Sequence, residues 1–219
     1  MIIASAIIVA AGSSKRMGGK TNKPYIELNG KPMLSYSLEV FAQVPDIKEV
    51  LVAVRAEDEA ACKALIRKGK FGNVRLVIGG KERQDSVANA LKKVRKDCRA
   101  VLIHDAARPY LTPELVQRLV LSAEKHRAVL PVIAVKETVK RSMNGKYVDE
   151  TLDRRQLFLA QTPQVFDYRL LIRAYERAHD EGYYGTDDAS LVERLGIPVM
   201  IFPGEEGNIK ITVKEDITK

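Results

Sequence analysis

Short β-branched runs separated by amphipathic stretches set the plan of this chain. Apolar runs recur at Ile2–Val9, Val50–Val54, Val74–Ile78, Val101–Ile103, Val129–Val135 and Val199–Phe202. After the first run, Leu34, Leu38 and Phe41 fall at i, i+4, i+7, and Val87, Leu91 and Val94 repeat that spacing after the third. Each set marks the buried face of a helix. Near-continuous apolar strands alternating with helices predict an α/β, Rossmann-like fold, a largely parallel twisted sheet flanked by helices. Pro32 and Pro113 stand where a helix would begin, a place where the missing N–H costs nothing. Pro45 and Gly69 punctuate helix ends.

One segment breaks the alternation. Residues 136–152 read KETVKRSMNGKYVDETL, with Asn144-Gly145 between two short polar–apolar runs. Both residues tolerate the positive φ of a type I′ turn, so a protruding β-hairpin arm is expected over 136–153. Its polar makeup gives it little core, so it either projects into solvent or rests on another subunit. The second arrangement makes a homodimer through the arm.

Composition narrows the class. The 219 residues suit one domain, residues 1–219, with the arm as its appendage. Hydrophobic residues make up 46% and charged residues 29%, and no apolar stretch reaches membrane-spanning length, so a soluble protein without a membrane partner is expected. The N-terminal apolar run has no basic leader and flows into a polar turn, which reads as a first strand and implies cytoplasmic residence. Cys62 and Cys98 have no C-x-x-C spacing and fit packing or surface roles in a reducing compartment. The net charge is +8, but the cations are scattered and form no stripe interleaved with aromatics. A phosphorylated small molecule explains the surplus at least as well as nucleic acid, which is not expected as a partner.

Four stretches collect chemistry. Ala10, Ala11, Gly12, Ser13 and Ser14 follow the first strand and leave backbone N–H groups uncovered, while Lys15, Arg16 and Lys23 can neutralise phosphate oxygens. The segment fits neither G-x-x-x-x-G-K-[ST] nor G-x-G-x-x-G. By itself it is equally an ordinary strand-to-helix turn with a basic rim. Next, Gly79-Gly80-Lys81-Glu82-Arg83-Gln84-Asp85-Ser86 runs from a strand end into a helix. Its glycines permit close approach of a flat ligand and Ser86 offers a hydroxyl, although Asp85 and Ser86 could equally serve the helix start.

Then His104-Asp105-Ala106-Ala107-Arg108-Pro109 follows a buried run. A carboxylate at the carboxyl end of a parallel strand faces the ligand crevice of doubly wound proteins, which places Asp105 to hold Mg²⁺. Arg108 adds a fork for a second phosphate, or pairs with Asp105. His104 reads as a structural hydrogen-bonding residue. Last come Arg154, Gln161-Thr162-Pro163-Gln164, Thr186-Asp187-Asp188-Ala189-Ser190 and Asn208-Ile209-Lys210-Ile211-Thr212, in which Thr186 also suits a helix N-cap.

Read together, AAGSSKRM, GGKERQDSV, HDAARP, DRRQLFLAQTPQ, TDDAS and NIKIT resemble the 2-C-methyl-D-erythritol 4-phosphate cytidylyltransferases of the non-mevalonate isoprenoid pathway, in order and spacing along essentially the whole chain. The resemblance implies CTP as co-substrate, a polyol phosphate as acceptor and Mg²⁺ as cofactor. It assigns Ala10, Ala11 and Gly12 to a backbone cradle for CTP, with Ser13, Ser14 and Lys15 around its phosphates. Arg16 and Lys23 match the transition-state cations, Gly80 and Ser86 the cytosine-reading positions, and Asp105 the metal ligand. Ala106, Arg108, Thr186 and Lys210 fall where the family binds methylerythritol phosphate, and Thr138 and Arg154 match residues that reach into the partner's site. Ser14 and Pro24 depart from the family's frequent Gly and Gln. Ribitol-5-phosphate cytidylyltransferases share the fold and most motifs, but Ala107 in HDAARP resembles the methylerythritol enzymes more. A non-catalytic nucleotide sensor would have no need of Arg16, Lys23 and Asp105 together.

Overall fold

The computed structural model describes residues 2–12, 22–213 and 216. In chain order the first elements are β1 (Ala4–Val9), β2 (Glu27–Leu28), β3 (Lys31–Pro32), α1 (Met33–Ala42), β4 (Ile47–Val54), α2 (Glu59–Gly69), β5 (Val74–Ile78) and α3 (Arg83–Leu91). The rest are β6 (Ala100–Asp105), α4 (Pro113–Ser122), β7 (Ala128–Ala134), β8 (Lys140–Arg141), β9 (Glu150–Thr151), β10 (Phe158–Ala160), β11 (Gln164–Asp167), α5 (Tyr168–Asp180), α6 (Asp188–Glu193) and β12 (Met200–Pro203). All six apolar runs of the sequence lie on strands of one eight-stranded sheet, ordered β5-β4-β1-β6-β11-β7 with β10 and β12 also on β7. Val129 pairs with both Val165 and Met200, and Val132 with both Ala160 and Pro203, so β10 and β11 share one edge of β7 and β12 takes the other.

Pairing is parallel throughout β5, β4, β1 and β6 and between β7 and β12, as the pattern predicts. The exception is β10 and β11, which run antiparallel to their neighbours. The apolar pattern missed them because Gln161, Thr162 and Pro163 interrupt the stretch, and a proline argues against a central strand. Strand alternation divides the core. Ala4, Ala6 and Ile8 pack with Leu34, Leu38 and Phe41 of α1, Cys62 of α2 and Leu115 of α4. Ile7, pointing the other way, packs with Val87 and Leu91 of α3, Leu170 and Leu171 of α5 and Leu191 of α6. Val94 lies past the end of α3 yet stays buried. Both cysteines are free and buried. Among the described residues no helix is long and apolar enough to cross a membrane.

A hairpin does leave the body between β7 and β10, with a different turn from the expected one. Strands β8 and β9 pair through Lys140–Thr151 and Arg141–Glu150, enclosing an eight-residue loop, 142–149. Gly145 has φ +68, but among described non-glycine residues only Asn29 and Lys70 have positive φ. Asn144 is therefore not the first residue of a type I′ turn. Its Oδ1 instead accepts from the amides of Lys146 (2.9 Å) and Tyr147 (3.1 Å), the local alternative that an Asn side chain offers.

Candidate active site

The chain runs from β1 to β4 and β5 on one side, then crosses back to place β6 on the other side of β1. The strand order thus reverses between β1 and β6, and ligands of open α/β sheets bind outside the carboxyl ends at such a point. Val9 and Asp105 are the last residues of these two strands and lie in register. A cleft of about 810 Å³ opens there, lined by Ala10, Ala11, Gly12 and Lys23, by Gly80, Arg83 and Ser86, and by Asp105, Ala106, Ala107 and Lys210. Most of the residues to which the sequence gave a role thus meet on one cavity. Ser13, Ser14, Lys15 and Arg16 lie outside the described residues.

Asp105 is the electrostatic centre. Its Oδ1 accepts from Arg83 Nε (3.0 Å) and its Oδ2 from Lys210 Nζ (2.6 Å). Burial raises its pKa, but the two cations outweigh that and hold the carboxyl below the usual carboxylate range. The pairing with Arg108 that the sequence allowed does not form. Arg108 is spent elsewhere: Nη1 donates to the Asn208 carbonyl (2.7 Å) and Nη2 to that of Ala160 (3.0 Å). It thereby ties the end of β10 to the NIKIT segment and stands outside the lining of the cleft.

Arg83, within GGKERQDSV, links the two buried carboxylates of this region. Its Nη2 donates to Asp188 Oδ2 (2.8 Å), a carboxylate with a fully buried side chain, whose Oδ1 accepts from Tyr175 Oη (2.5 Å). Despite burial, Asp188 and Asp105 hold the guanidinium firmly protonated. Burial and Asp188 push the Tyr175 phenol upward, keeping it neutral and donating. Arg83 also forms the wall shared with a second cavity of about 360 Å³, lined by Tyr184, Gly185 and Thr186. Thr186 thus faces the neighbouring cavity, and the N-cap of α6 is Asp187, which accepts from Ser190 N (3.0 Å). Two glutamines fix this wall. Gln84 donates to the Tyr183 carbonyl and accepts from Gly185 N, while Gln164 donates to Asp187 and accepts from Ala189 N. Gln84 and Gln164 each stand in a motif of their own, and the sequence carried no signal for these links to distant segments.

The turn before α3 gives its glycines and Ser86 internal roles as well. A Cβ on Gly79 would stand 2.6 Å from Ala11 Cβ, and one on Gly80 would stand 2.3 Å from Asp85 Cβ. The glycines are required by packing of the turn on its own helix and on the segment after β1, before any ligand is considered. Ser86 Oγ donates to the Glu82 carbonyl (3.1 Å) and accepts from Gly80 N (3.0 Å). Its proton is therefore used inside the turn and one lone pair is left. Similarly, Ala10 N–H donates to the Ala53 carbonyl (2.8 Å), so this amide is used within the sheet.

His104 is fully buried, and burial pushes its pKa down from 6.5 to about 4. Its Nε2 lies 3.2 Å from the Arg108 carbonyl and its Nδ1 lies 3.0 Å from Thr162 Oγ1. A carbonyl can only accept, so Nε2 carries the proton and Nδ1 accepts from the Thr162 hydroxyl. That hydroxyl in turn accepts from Asp105 N (3.1 Å). The structural role expected of His104 is thus met. Thr138 and Arg154 line neither cavity. Arg154 Nη1 donates to the Lys136 carbonyl (2.6 Å) at the base of the arm.

A cation-lined crevice at the reversal point of a mostly parallel sheet, behind a turn of small residues, defines an α/β nucleotidyltransferase. The family model for IspD, 2-C-methyl-D-erythritol 4-phosphate cytidylyltransferase, matches residues 4–219. Proteins of that name include one from Clostridioides difficile (strain 630), 44% identical over 214 residues that span 97% of this chain and 90% of the relative. Another, from Dictyoglomus thermophilum, is 45% identical over 214 residues, 96% of this chain and 92% of the relative. The crystal structure of 4-diphosphocytidyl-2C-methyl-D-erythritol synthase from Anaerococcus prevotii DSM 20548 superposes with a TM-score of 0.88 at 34% identity, covering 99% of this chain and 95% of that one. For the 2-C-methyl-D-erythritol 4-phosphate cytidylyltransferase of Thermus thermophilus the TM-score is 0.80 at 31% identity, covering 100% and 96%. The chain belongs to the 2-C-methyl-D-erythritol 4-phosphate cytidylyltransferase family.

Proposed function

We propose that the protein transfers a cytidylyl group from CTP to 2-C-methyl-D-erythritol 4-phosphate, giving 4-diphosphocytidyl-2-C-methyl-D-erythritol and pyrophosphate. The observation that carries this reading is the meeting of the small-residue turn after β1, Lys23, and the Arg83–Asp105–Lys210 group on one cleft. The acceptor's phosphate oxygen attacks the α-phosphorus in line as the bond to the β-phosphate oxygen breaks, and pyrophosphate leaves with that electron pair. A phosphate monoester is largely ionised at neutral pH, so no protein base is needed. Catalysis then comes from alignment and charge neutralisation.

In this reading the amides after Ala10 and the groups of Ser13, Ser14 and Lys15 hold the triphosphate. Arg16 and Lys23 meet the charge that builds on the α-phosphate. Gly80 and the remaining lone pair of Ser86 face the cytosine. Ala106 and Lys210 face the acceptor within the cleft, and Arg108 and Thr186 approach it from beside the cleft. Asp105 fits a metal because each oxygen spends one contact on a cation and keeps further lone pairs, and Mg²⁺ needs only one or two carboxylates beside substrate phosphates. When bound, Mg²⁺ supplies further neutralisation of the phosphate oxygens.

The arm exposes Met143, Tyr147 and Val148 and reaches neither cavity of its own chain. We assign it to a homodimer in which Thr138 and Arg154 approach the partner's acceptor site. Pyrophosphate release from CTP tests the function, with methylerythritol phosphate and ribitol 5-phosphate as separate acceptors, each with and without Mg²⁺. Release is expected with the first acceptor and Mg²⁺. Activity with neither acceptor would remove the reading, and activity with ribitol 5-phosphate alone would replace it.

A further inference from the structure

Lys23 enters the cleft from a short helical turn, Lys23–Tyr25, and the residues on both sides of Lys23-Pro24 return to one distant residue. Asn22 is only 7% exposed. Its Oδ1 accepts from Lys23 N (2.9 Å) and its Nδ2 donates to Asp58 Oδ2 (2.6 Å). Tyr25 Oη donates to the Asp58 carbonyl (3.4 Å). Asp58 ends the helical turn Ala56–Asp58 that runs directly into α2, and its side chain makes no capping bond. Its carboxylate takes Asn22 and the fork of Arg55 instead, through Nε (2.7 Å) and Nη2 (3.2 Å). Arg55 directly follows β4, so the chain of contacts ends on the central sheet.

A lysine places its ammonium through a flexible four-carbon stem. Its reach is defined only if its backbone is held, and a misplacement of about 1 Å in a site built on alignment can cost as much as 10²-fold in rate. We infer that Arg55, Asp58 and Asn22 form a positioning device that fixes the backbone of Lys23 and thereby the point its ammonium reaches. This rests on the transition-state role given to Lys23 above. None of the three residues is assigned to a reacting atom. Asp58 thus joins a turn 36 residues earlier in the chain to Arg55 beside it.

Three variants test the device. Asn22→Ala removes the link without adding charge. Asn22→Asp keeps an acceptor for the Lys23 amide but sets a carboxylate against Asp58. Combining Asn22→Asp with Asp58→Asn restores an amide–carboxylate bond in the reverse sense. Both single variants are expected to lower kcat about 10- to 100-fold with the Kd for CTP unchanged, and the double variant to return to within about threefold of the starting enzyme. Rates are referred to CTP-binding sites, so an unfolded fraction does not count, and Asn22→Ala decides alone if Asn22→Asp does not fold. Unchanged kcat in the single variants, a loss confined to CTP binding, or no recovery in the double variant overturns the device. Lys23→Ala, measured alongside, separates the two failures. Normal turnover in Lys23→Ala removes the role of Lys23, whereas impairment in Lys23→Ala alone removes only its positioning.

Discussion

Arg83 and Lys210 hold the same carboxylate, but their surroundings give them different consequences. Arg83 also pairs with Asp188, whose side chain has no exposure, whereas the Lys210 side chain is 43% exposed. Removing one partner of a buried pair strands the other charge, so Arg83→Met is expected to cost about 3–5 kcal/mol. Lys210→Met should cost less, about 1 kcal/mol, because the lysine is partly exposed and Asp105 keeps Arg83 as a partner. Urea unfolding of both variants at neutral pH checks the contrast, and similar losses would contradict it. For Lys23 the expected loss is in turnover. Lys23→Ala should lower kcat about 10²–10³-fold while leaving the Kd for CTP near its starting value, and equal losses in both would reduce Lys23 to a binding residue. The residue types were legible in the sequence, since cations, small residues and a strand-end carboxylate have chemical identities of their own. Their pairing was not. Asp105 could reach Arg108 by local spacing, yet it is met by Arg83 and Lys210, which only the fold brings near.

The most informative element is the interrupted pair β10–β11, where the chain leaves the sheet at 161–163 between two antiparallel segments. Thr162, on that excursion, receives Asp105 N and donates to the His104 ring, while Asn208 Nδ2 donates to its carbonyl (2.8 Å). The QTPQ motif thus acts through the backbone of HDAARP. The buried imidazole makes this joint sensitive to acid. In the unfolded chain His104 takes up a proton as pH falls through 6.5, but in the folded protein it resists protonation until about 4. The unfolded state therefore binds more protons in that window, and stability falls as pH is lowered from 6.5 toward 4, by up to about 1.4 kcal/mol per pH unit. Unfolding free energies between pH 6.5 and 5, above the carboxylate range, should show this slope, and it should flatten in His104→Gln. An unchanged slope in the variant would place the acid sensitivity elsewhere. Six strands and the helices between them were legible because buried parallel strands are apolar runs. The strands β10 and β11 were not, because their polar interruption serves the site.

At the scale of the whole molecule, the arm sets the enzyme's predicted assembly. Paired strands cover only residues 140–141 and 150–151, and the loop between them carries the exposed Met143, Tyr147 and Val148. Replacing residues 142–149 with a two-residue turn should convert a dimer to a monomer in sedimentation velocity and leave CTP binding intact. Turnover with the acceptor should drop about 10²-fold or more as the partner's groups are lost. A dimer that survives this change would place the interface elsewhere. The sequence by itself determined the alternation of strands and helices, the arm and the inventory of reactive side chains, since each follows from local periodicity, turn chemistry or residue type. Tertiary structure alone decided which partners those side chains have. It turned Arg108 onto two carbonyls, put Arg83 between Asp105 and Asp188, and set the Asp58 carboxylate against Asn22. Those choices depend on contacts between segments far apart in the chain, and a hydrogen bond between them leaves no period and no spacing for a sequence to display.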